Sequence, residues 1–352
     1  MTALKVEKFE RDSNFELCRI ACIIYIVFYH LFIHVNNNLD NMWYTKPLTS
    51  IFHIGVVVFV MISGYYGIRR RVDKFLYIIS IIVFYNLIFL LFSIFVLGRP
   101  FLLSDIQRIF LPFSNGGYWF LKSYLVLYLL SPYVNMVLER LQKREFGIYL
   151  LILCFIVFYL GGVFNSSIGE GRGIVAFVLS YSIGRYIRIY FPHLISYKLF
   201  KMNAFLPYLL ACLLLIILYG TLPAKMSKGV NHFFFKYNSI GLYFMSVLYF
   251  LSFKQLSFKS RFINYTAKSV LAVYLIHECS FIRDALIYKP FEKLSEQVDF
   301  PILLLVYQFL FALMIVAVCI GIDKIRERLY TLINLNKVFV SMNKHYRILF
   351  HY

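Results

Sequence analysis

The residues of this chain best placed to do chemistry are ionisable groups inside apolar segments. The first such segment, Leu17 to His34, reads LCRIACIIYIVFYHLFIH and carries Arg19 near one end and His30 well inside. On an α-helix, eleven residues turn through about 1100°. The two side chains therefore differ by only about 20° in direction and stand roughly 16 Å apart along the axis. Polar groups within a membrane span are costly and face a protein interior or a wet cavity. A guanidinium suits phosphate, and an imidazole suits proton transfer near neutral pH. A second pair, His277 and Glu278, sits in the apolar run AVYLIHECSF; a carboxylate there is expensive unless it is paired or used. A third group, Arg69, Arg70 and Arg71 with Lys74, follows the segment that ends SGYYG.

Each feature also has a plainer role. Arg19 can snorkel to lipid headgroups, the run Arg69 to Arg71 can simply set topology, and a mid-span histidine can bridge two helices. His34 stands one turn above His30, a spacing open to a metal. No HExxH pattern or acidic partner accompanies it, so no metal is expected. The six cysteines, at 18, 22, 154, 212, 279 and 319, lie in apolar segments without a CxxC pair and read as small buried residues.

The elements that must position these groups follow from composition. Of 352 residues 61% are hydrophobic, and mean hydropathy is +0.73. No soluble core of this size could hide so much apolar surface, so lipid is part of the solvent. The expectation is an all-α, polytopic integral membrane protein of about ten transmembrane helices, forming one domain over 1–352 with a core of about 13–325 and a basic cytoplasmic tail. The spans are expected from the start of the first segment to about 36, then at about 47–68, 75–97, 118–137, 147–164, 173–191, 204–221, 237–253, 267–288 and 301–322. Residues 98–117 are too mixed to span and are expected to lie along the interface or re-enter partway. The first span follows Glu7, Glu10, Asp12 and Glu16 and reads as retained rather than as a signal peptide. Trp43 and Tyr44 are placed as an interfacial belt would place them, and Tyr118 and Trp119 read mainly as packing, with sugar stacking the less expected role.

The formal charge is +19. In a soluble protein that would suggest nucleic acid; here it reads as cytoplasmic loops meeting anionic lipid, with no nucleic-acid partner. With ten spans and both termini cytoplasmic, 24 basic residues fall inside and 11 outside, with Arg19 within the first span. That orientation sets depth. Arg19, Ser63, Gly64 and Arg69 to Arg71 meet near the cytoplasmic face, while His30, His277 and Glu278 share a level near mid-membrane. A basic mouth that leads to two imidazoles and a carboxylate suits a phosphate-bearing donor and general-base chemistry.

The stretches SNFELCRIACIIYIVFYHLFIH, GVVVFVMISGYYGIRR (55–70), YWFLKSYLVLYLLSP (118–132) and KSVLAVYLIHE (268–278) resemble, in order, the acyltransferase type 3 membrane family. The resemblance runs from about residue 13 to 325. It implies a bacterial inner-membrane O-acetyltransferase that takes acetyl from cytoplasmic acetyl-CoA and passes it to a hydroxyl of a cell-surface or exported polysaccharide, or of a lipid-linked glycan precursor. Carried over, His30 is the essential catalytic histidine, as base or as transient acyl carrier; His277 and Glu278, read from their depth beside it, are expected to orient it or to buffer its proton. Arg19, Arg69, Arg70, Arg71 and Lys74 serve the CoA side. The family's two arginines separated by two residues have Arg71 and Lys74 as counterparts, with lysine second. The competing reading is a polysaccharide polymerase or flippase with no CoA chemistry.

Overall fold

The computed structural model describes residues 12–35, 45–111, 118–163, 170–191, 205–221, 236–298, 300–335, 337–339 and 341–342. The expected aromatic belt at Trp43 and Tyr44 and the last ten residues of the basic tail lie outside this set. Among the described residues every regular element is helical. In hydrocarbon, a helix is the local structure that satisfies each backbone N–H and C=O within its own segment.

The elements in order are α1 (Ser13–Val35), α2 (Thr45–Tyr66), α3 (Val72–Phe95), α4 (Leu103–Phe110), α5 (Trp119–Arg140), α6 (Lys143–Cys154), α7 (Ile174–Tyr190), α8 (Leu206–Thr221), α9 (Ile240–Lys254), α10 (Arg261–Thr266), α11 (Val270–His277), α12 (Lys289–Ser295) and α13 (Pro301–Leu332). The axis of α6 continues as a π-helical stretch, Phe155–Val163. Five helices are long and apolar enough to cross a membrane: Ser13–Val35, Val72–Phe95, Trp119–Arg140, Lys143–Gly162 and Ile302–Leu332. Shorter apolar helices cover Ile51–Tyr66, Leu206–Leu218 and Ile240–Lys254. The chain is thus a multi-pass, all-helical membrane protein, with five spans by length among the described residues against about ten expected.

Two local expectations change, at 267–288 and at the last helix, and the segment at 98–117 gains detail. The segment expected to span over 267–288 is broken: α11 stops at His277, and a turn leads into a π-helical stretch, Asp284–Tyr288. The segment over 98–117 contains a one-sided helix, α4, tied to the chain before it. Arg99 donates to both Asp105 oxygens at 3.0 and 2.8 Å, and the Leu102 N–H donates to Asp105 at 2.9 Å. The last helix runs to Leu332 rather than ending near 322. Charged residues continue it because they are paired and buried. Arg326 Nε and the Tyr85 hydroxyl each donate to Asp323 Oδ1 at 2.7 Å, and Arg326 also donates to the Tyr77 hydroxyl at 3.2 Å.

The bundle is organised on α2, which packs against α1, α7 and α9. Between α2 and α7 the backbones nearly touch. A β-carbon on Gly64 would overlap the Tyr181 carbonyl, and one on Gly184 would overlap the Met61 carbonyl. Close approach through small residues is how helices associate where lipid removes the hydrophobic drive between them. Just beyond α2, Gly67 turns the chain with φ +74°, and the backbone from Ile68 to Arg71 is clamped by side chains. The Tyr181 hydroxyl accepts from the Ile68 N–H at 2.8 Å, Asn135 donates to the Ile68 carbonyl at 2.9 Å, and the Tyr128 hydroxyl bonds both the N–H and the carbonyl of Arg71 at 2.9 Å.

Candidate active site

Helix α1 carries Arg19 and His30 along one cavity, and α11 runs beside it with Lys268 just before its start and His277 at its end. The cavity has a volume of about 340 Å³. Arg19 and Lys268 line it, as do His30, Trp119, Tyr237 and Tyr274. Between these groups its wall is apolar, with Ile23 and Ile26 from α1, Val56 and Phe59 from α2, and Val270 and Leu271 from α11. Arg19 lies about 16 Å along α1 from His30, and Lys268 lies about 13 Å along the chain from His277. The cavity therefore has a basic end and an imidazole end. Ring contacts set the depth of the aromatic wall. Tyr29 packs on His53 at 4.0 Å, His53 on Tyr237 at 4.3 Å, and Tyr237 on Trp119 at 5.6 Å. Trp119 and Tyr237 are thus linked by ring contacts to Tyr29, the residue before His30.

The imidazole end is a hydrogen-bonded cluster. His30 Nδ1 lies 2.8 Å from Glu278 Oε1 and 3.0 Å from His277 Nε2. His277 is buried, and its Nδ1 lies 2.6 Å from the Val273 carbonyl. A carbonyl only accepts, so His277 Nδ1 carries a proton, and in the neutral ring Nε2 is left as an acceptor. His30 Nδ1 then faces two acceptors, the Glu278 carboxylate and His277 Nε2, and must itself carry the proton. In the neutral ring the remaining nitrogen, His30 Nε2, has the lone pair, on a ring that lines the cavity. That tautomer is the one a general base requires, with a carboxylate behind it to stabilise the imidazolium once formed.

Glu278 is itself held. The Tyr288 hydroxyl donates to Oε1 at 2.8 Å, and Arg283 Nη1 donates to Oε2 at 3.3 Å. Arg283 also bonds Asp284 at 3.2 Å. The exposed His34 stacks on Tyr288 at 4.8 Å, on the side of the cluster away from Arg19. His30, His277 and Glu278 offer ligand atoms that all lie within 4.8 Å of one another, a set able to hold a divalent cation. One shared proton on His30 Nδ1 accounts for the two short distances, and Arg283 balances the Glu278 charge, so the cluster is complete as a hydrogen-bonded unit.

The structure brings Arg19 and His30 to one cavity and sets His277 and Glu278 against the His30 ring, outside the cavity lining. Arg19 is steadied by Glu16, whose Oε1 accepts at 3.0 Å. Arg69, Arg70 and Arg71 do not line that cavity; all three are exposed, and Arg71 is engaged with Asp73 at 3.0 and 2.5 Å. Lys74 lines a second cavity of about 410 Å³, together with Lys268, Tyr77 and Tyr330. Lys268 thus borders both cavities. Sequence reasoning missed Lys268, Tyr288 and the bond from Arg283 to Glu278. Lys268 stands nine residues before His277, a step that turns about 900° on a helix and puts the two on opposite faces, so helical spacing gave no signal for it. The Tyr118 hydroxyl donates to the Leu275 carbonyl at 2.9 Å and to Asn86 at 3.2 Å, so it braces α11 rather than facing a ligand.

No curated protein and no solved structure matches the chain. A family model described as an acyltransferase domain matches residues 12–324, which include every member of the imidazole cluster and both basic residues of the cavity, and the chain belongs to that family.

Proposed function

We propose that this membrane acyltransferase moves an acetyl group from acetyl-CoA to a hydroxyl of a cell-surface or exported polysaccharide, or of its lipid-linked precursor, at the bacterial cytoplasmic membrane. The observation that carries this reading is the pairing of His30 Nδ1 with Glu278 at 2.8 Å, at the far end of a cavity that begins at Arg19. In this reading the Arg19 and Lys268 end faces the cytoplasm and receives the donor, whose phosphates meet guanidinium and ammonium groups while its thioester arm lies along the apolar wall. Arg69 and Arg70, exposed beyond α2, attract the anionic donor toward this mouth, and Arg71 and Lys74 belong to the same basic face.

At the imidazole end, His30 Nε2 takes the proton of the acceptor hydroxyl as its oxygen attacks the thioester carbonyl. The C–S bond then breaks, and the departing thiolate receives that proton from the imidazolium, giving free CoA and the O-acetyl ester. Glu278 stabilises the transient imidazolium, and His277 fixes its tautomer and plane. No metal takes part in this sequence, so a chelator is expected to leave the rate unchanged.

The test is NMR of the envelope polysaccharide from cells that carry a chromosomal His30→Ala variant which still reaches the membrane. Loss of an O-acetyl signal with unchanged polymer length is expected. An unchanged acetyl signal with altered polymer length or yield would refute acetyl transfer and favour a polymerase or flippase.

A further inference from the structure

We propose that the imidazole end of the cavity contains an acceptor subsite, built from Trp119, Tyr237 and Arg172, for a sugar ring that bears a carboxylate or a phosphate. The proposal rests on the acetyl-transfer reading only for the word acceptor; the recognition chemistry stands on its own. Trp119 and Tyr237 both line the cavity and meet at 5.6 Å. The Arg172 guanidinium is held over both rings, 5.4 Å from each centroid. Arg172 is exposed, and its backbone is fixed by the Ser123 hydroxyl, which donates to its carbonyl at 2.7 Å.

This arrangement has the parts that anionic sugars need. The apolar C–H face of a pyranoside packs on aromatic rings. A guanidinium that lies on a ring by its face keeps its N–H edge for a carboxylate or phosphate, which it can meet in bidentate fashion. The surrounding charge agrees. Lys122 stands one turn beyond Trp119 and Lys236 directly precedes Tyr237, while Glu170 is the one acid among described residues within three positions of the three subsite residues. A neutral sugar would use the rings but leave these cations unmatched. The same rings line the cavity that His30 lines and are linked through His53 to Tyr29, its neighbour in sequence, so a hydroxyl on the bound ring shares the cavity with the base.

The chain has two tryptophans, Trp43 and Trp119, so a Trp43→Phe background leaves Trp119 as sole reporter. Full-length protein in nanodiscs is titrated with methyl glucuronide, with glucose 1-phosphate and with neutral methyl glucoside, while Trp119 emission is followed. At least one anionic probe is expected to give a saturable change, with the neutral sugar weaker by about tenfold or more. Arg172→Gln is expected to weaken the anionic probe by about tenfold and to leave the neutral one unchanged, while Arg172→Lys, which keeps the charge, recovers part of the loss. No saturable change with either anionic probe, or equal midpoints for Arg172 and Arg172→Gln, would overturn the subsite. No acetyl-CoA enters this titration. Sugar binding without acetyl transfer would keep the subsite and defeat the transfer reaction, whereas transfer with an unchanged acceptor KM in Arg172→Gln would do the reverse.

Discussion

Replacing Glu278 by glutamine removes one charge and little else. The side chain keeps its length and an oxygen able to accept from His30 Nδ1, so the base remains oriented while the imidazolium loses its counter-charge. With charge centres about 4 Å apart and an effective dielectric constant of about 20, that attraction is worth about 4 kcal/mol. The nearest atoms lie 2.8 Å apart, and Arg283 at 3.3 Å from the same carboxylate draws part of the field away, so 4 kcal/mol is an upper figure. At about 1.4 kcal/mol per decade, kcat is expected to fall by roughly 10²- to 10³-fold. The assay is transfer of labelled acetyl from acetyl-CoA to an envelope extract by protein in nanodiscs, with donor KM measured alongside. KM is expected to hold, because Glu278 lies at the end of the cavity away from Arg19. The double variant His30→Gln, Glu278→Gln should be no slower than His30→Gln alone, since a carboxylate that acts through the imidazole has nothing left to act on. A Glu278→Gln enzyme within about threefold of the parent rate, or losses that multiply in the double variant, would refute the assignment of Glu278 as the partner of the base.

Three further outcomes follow from the geometry. Arg19→Gln and Lys268→Gln should each raise the acetyl-CoA KM by about tenfold with little change in kcat, whereas a paired Arg69→Gln, Arg70→Gln variant should raise it only at low salt, because those charges act at a distance and are screened; a salt-independent loss from the Arg69 and Arg70 pair would contradict this division. Gly64→Val forces a branched side chain into the Tyr181 carbonyl and should remove folded protein from the membrane fraction, so a normal yield with an unchanged Tm would sink the close α2–α7 contact. Arg326→Met strands the buried Asp323 carboxylate and should cost about 3–5 kcal/mol, read as a lowered Tm, while the double variant Asp323→Leu, Arg326→Met should recover most of the loss; an equal or lower Tm in the double variant would show that the pair stabilises rather than merely compensates.

Much of the site was legible because it rests on helical periodicity. The eleven-residue step from Arg19 to His30 needs no tertiary information, and both residues do line one cavity. What escaped were interactions that depend on where a helix ends or on which faces meet. The apolar run AVYLIHECSF carries no proline, glycine or asparagine, the residues that most often end a helix, so its composition gives little sign that α11 stops at His277. Asp323 and Arg326 looked like the start of a solvated tail because charge alone marks a boundary; their burial rests on their own ion pair together with the Tyr85 and Tyr77 hydroxyls from α3. The Arg69 to Arg71 run reads in sequence as part of the donor mouth. In the structure its backbone is the clamped part, through Tyr181, Asn135 and Tyr128, and its side chains stand outside the cavity.

The break after His277 is what lets two consecutive residues serve one nitrogen. On a continuous α-helix, neighbours point about 100° apart, so a ring on α1 could meet His277 or Glu278 but not both. At Glu278 the backbone leaves the helical region, with φ −95° and ψ 4°, and its carboxylate swings to within 2.8 Å of the same His30 Nδ1 that lies 3.0 Å from His277. The turn that follows then brings Arg283 and Tyr288 back onto that carboxylate from a separate stretch of chain. The hydrogen-bonded cluster is therefore assembled from α1, the end of α11 and the π-helical stretch after it. Restoring a continuous helix over 267–288 would dismantle it without changing any of its residues. The helix end after His277 and the shared contact on His30 Nδ1 thus belong to one piece of local structure, in which a carboxylate and an imidazole adjacent in sequence meet the same ring.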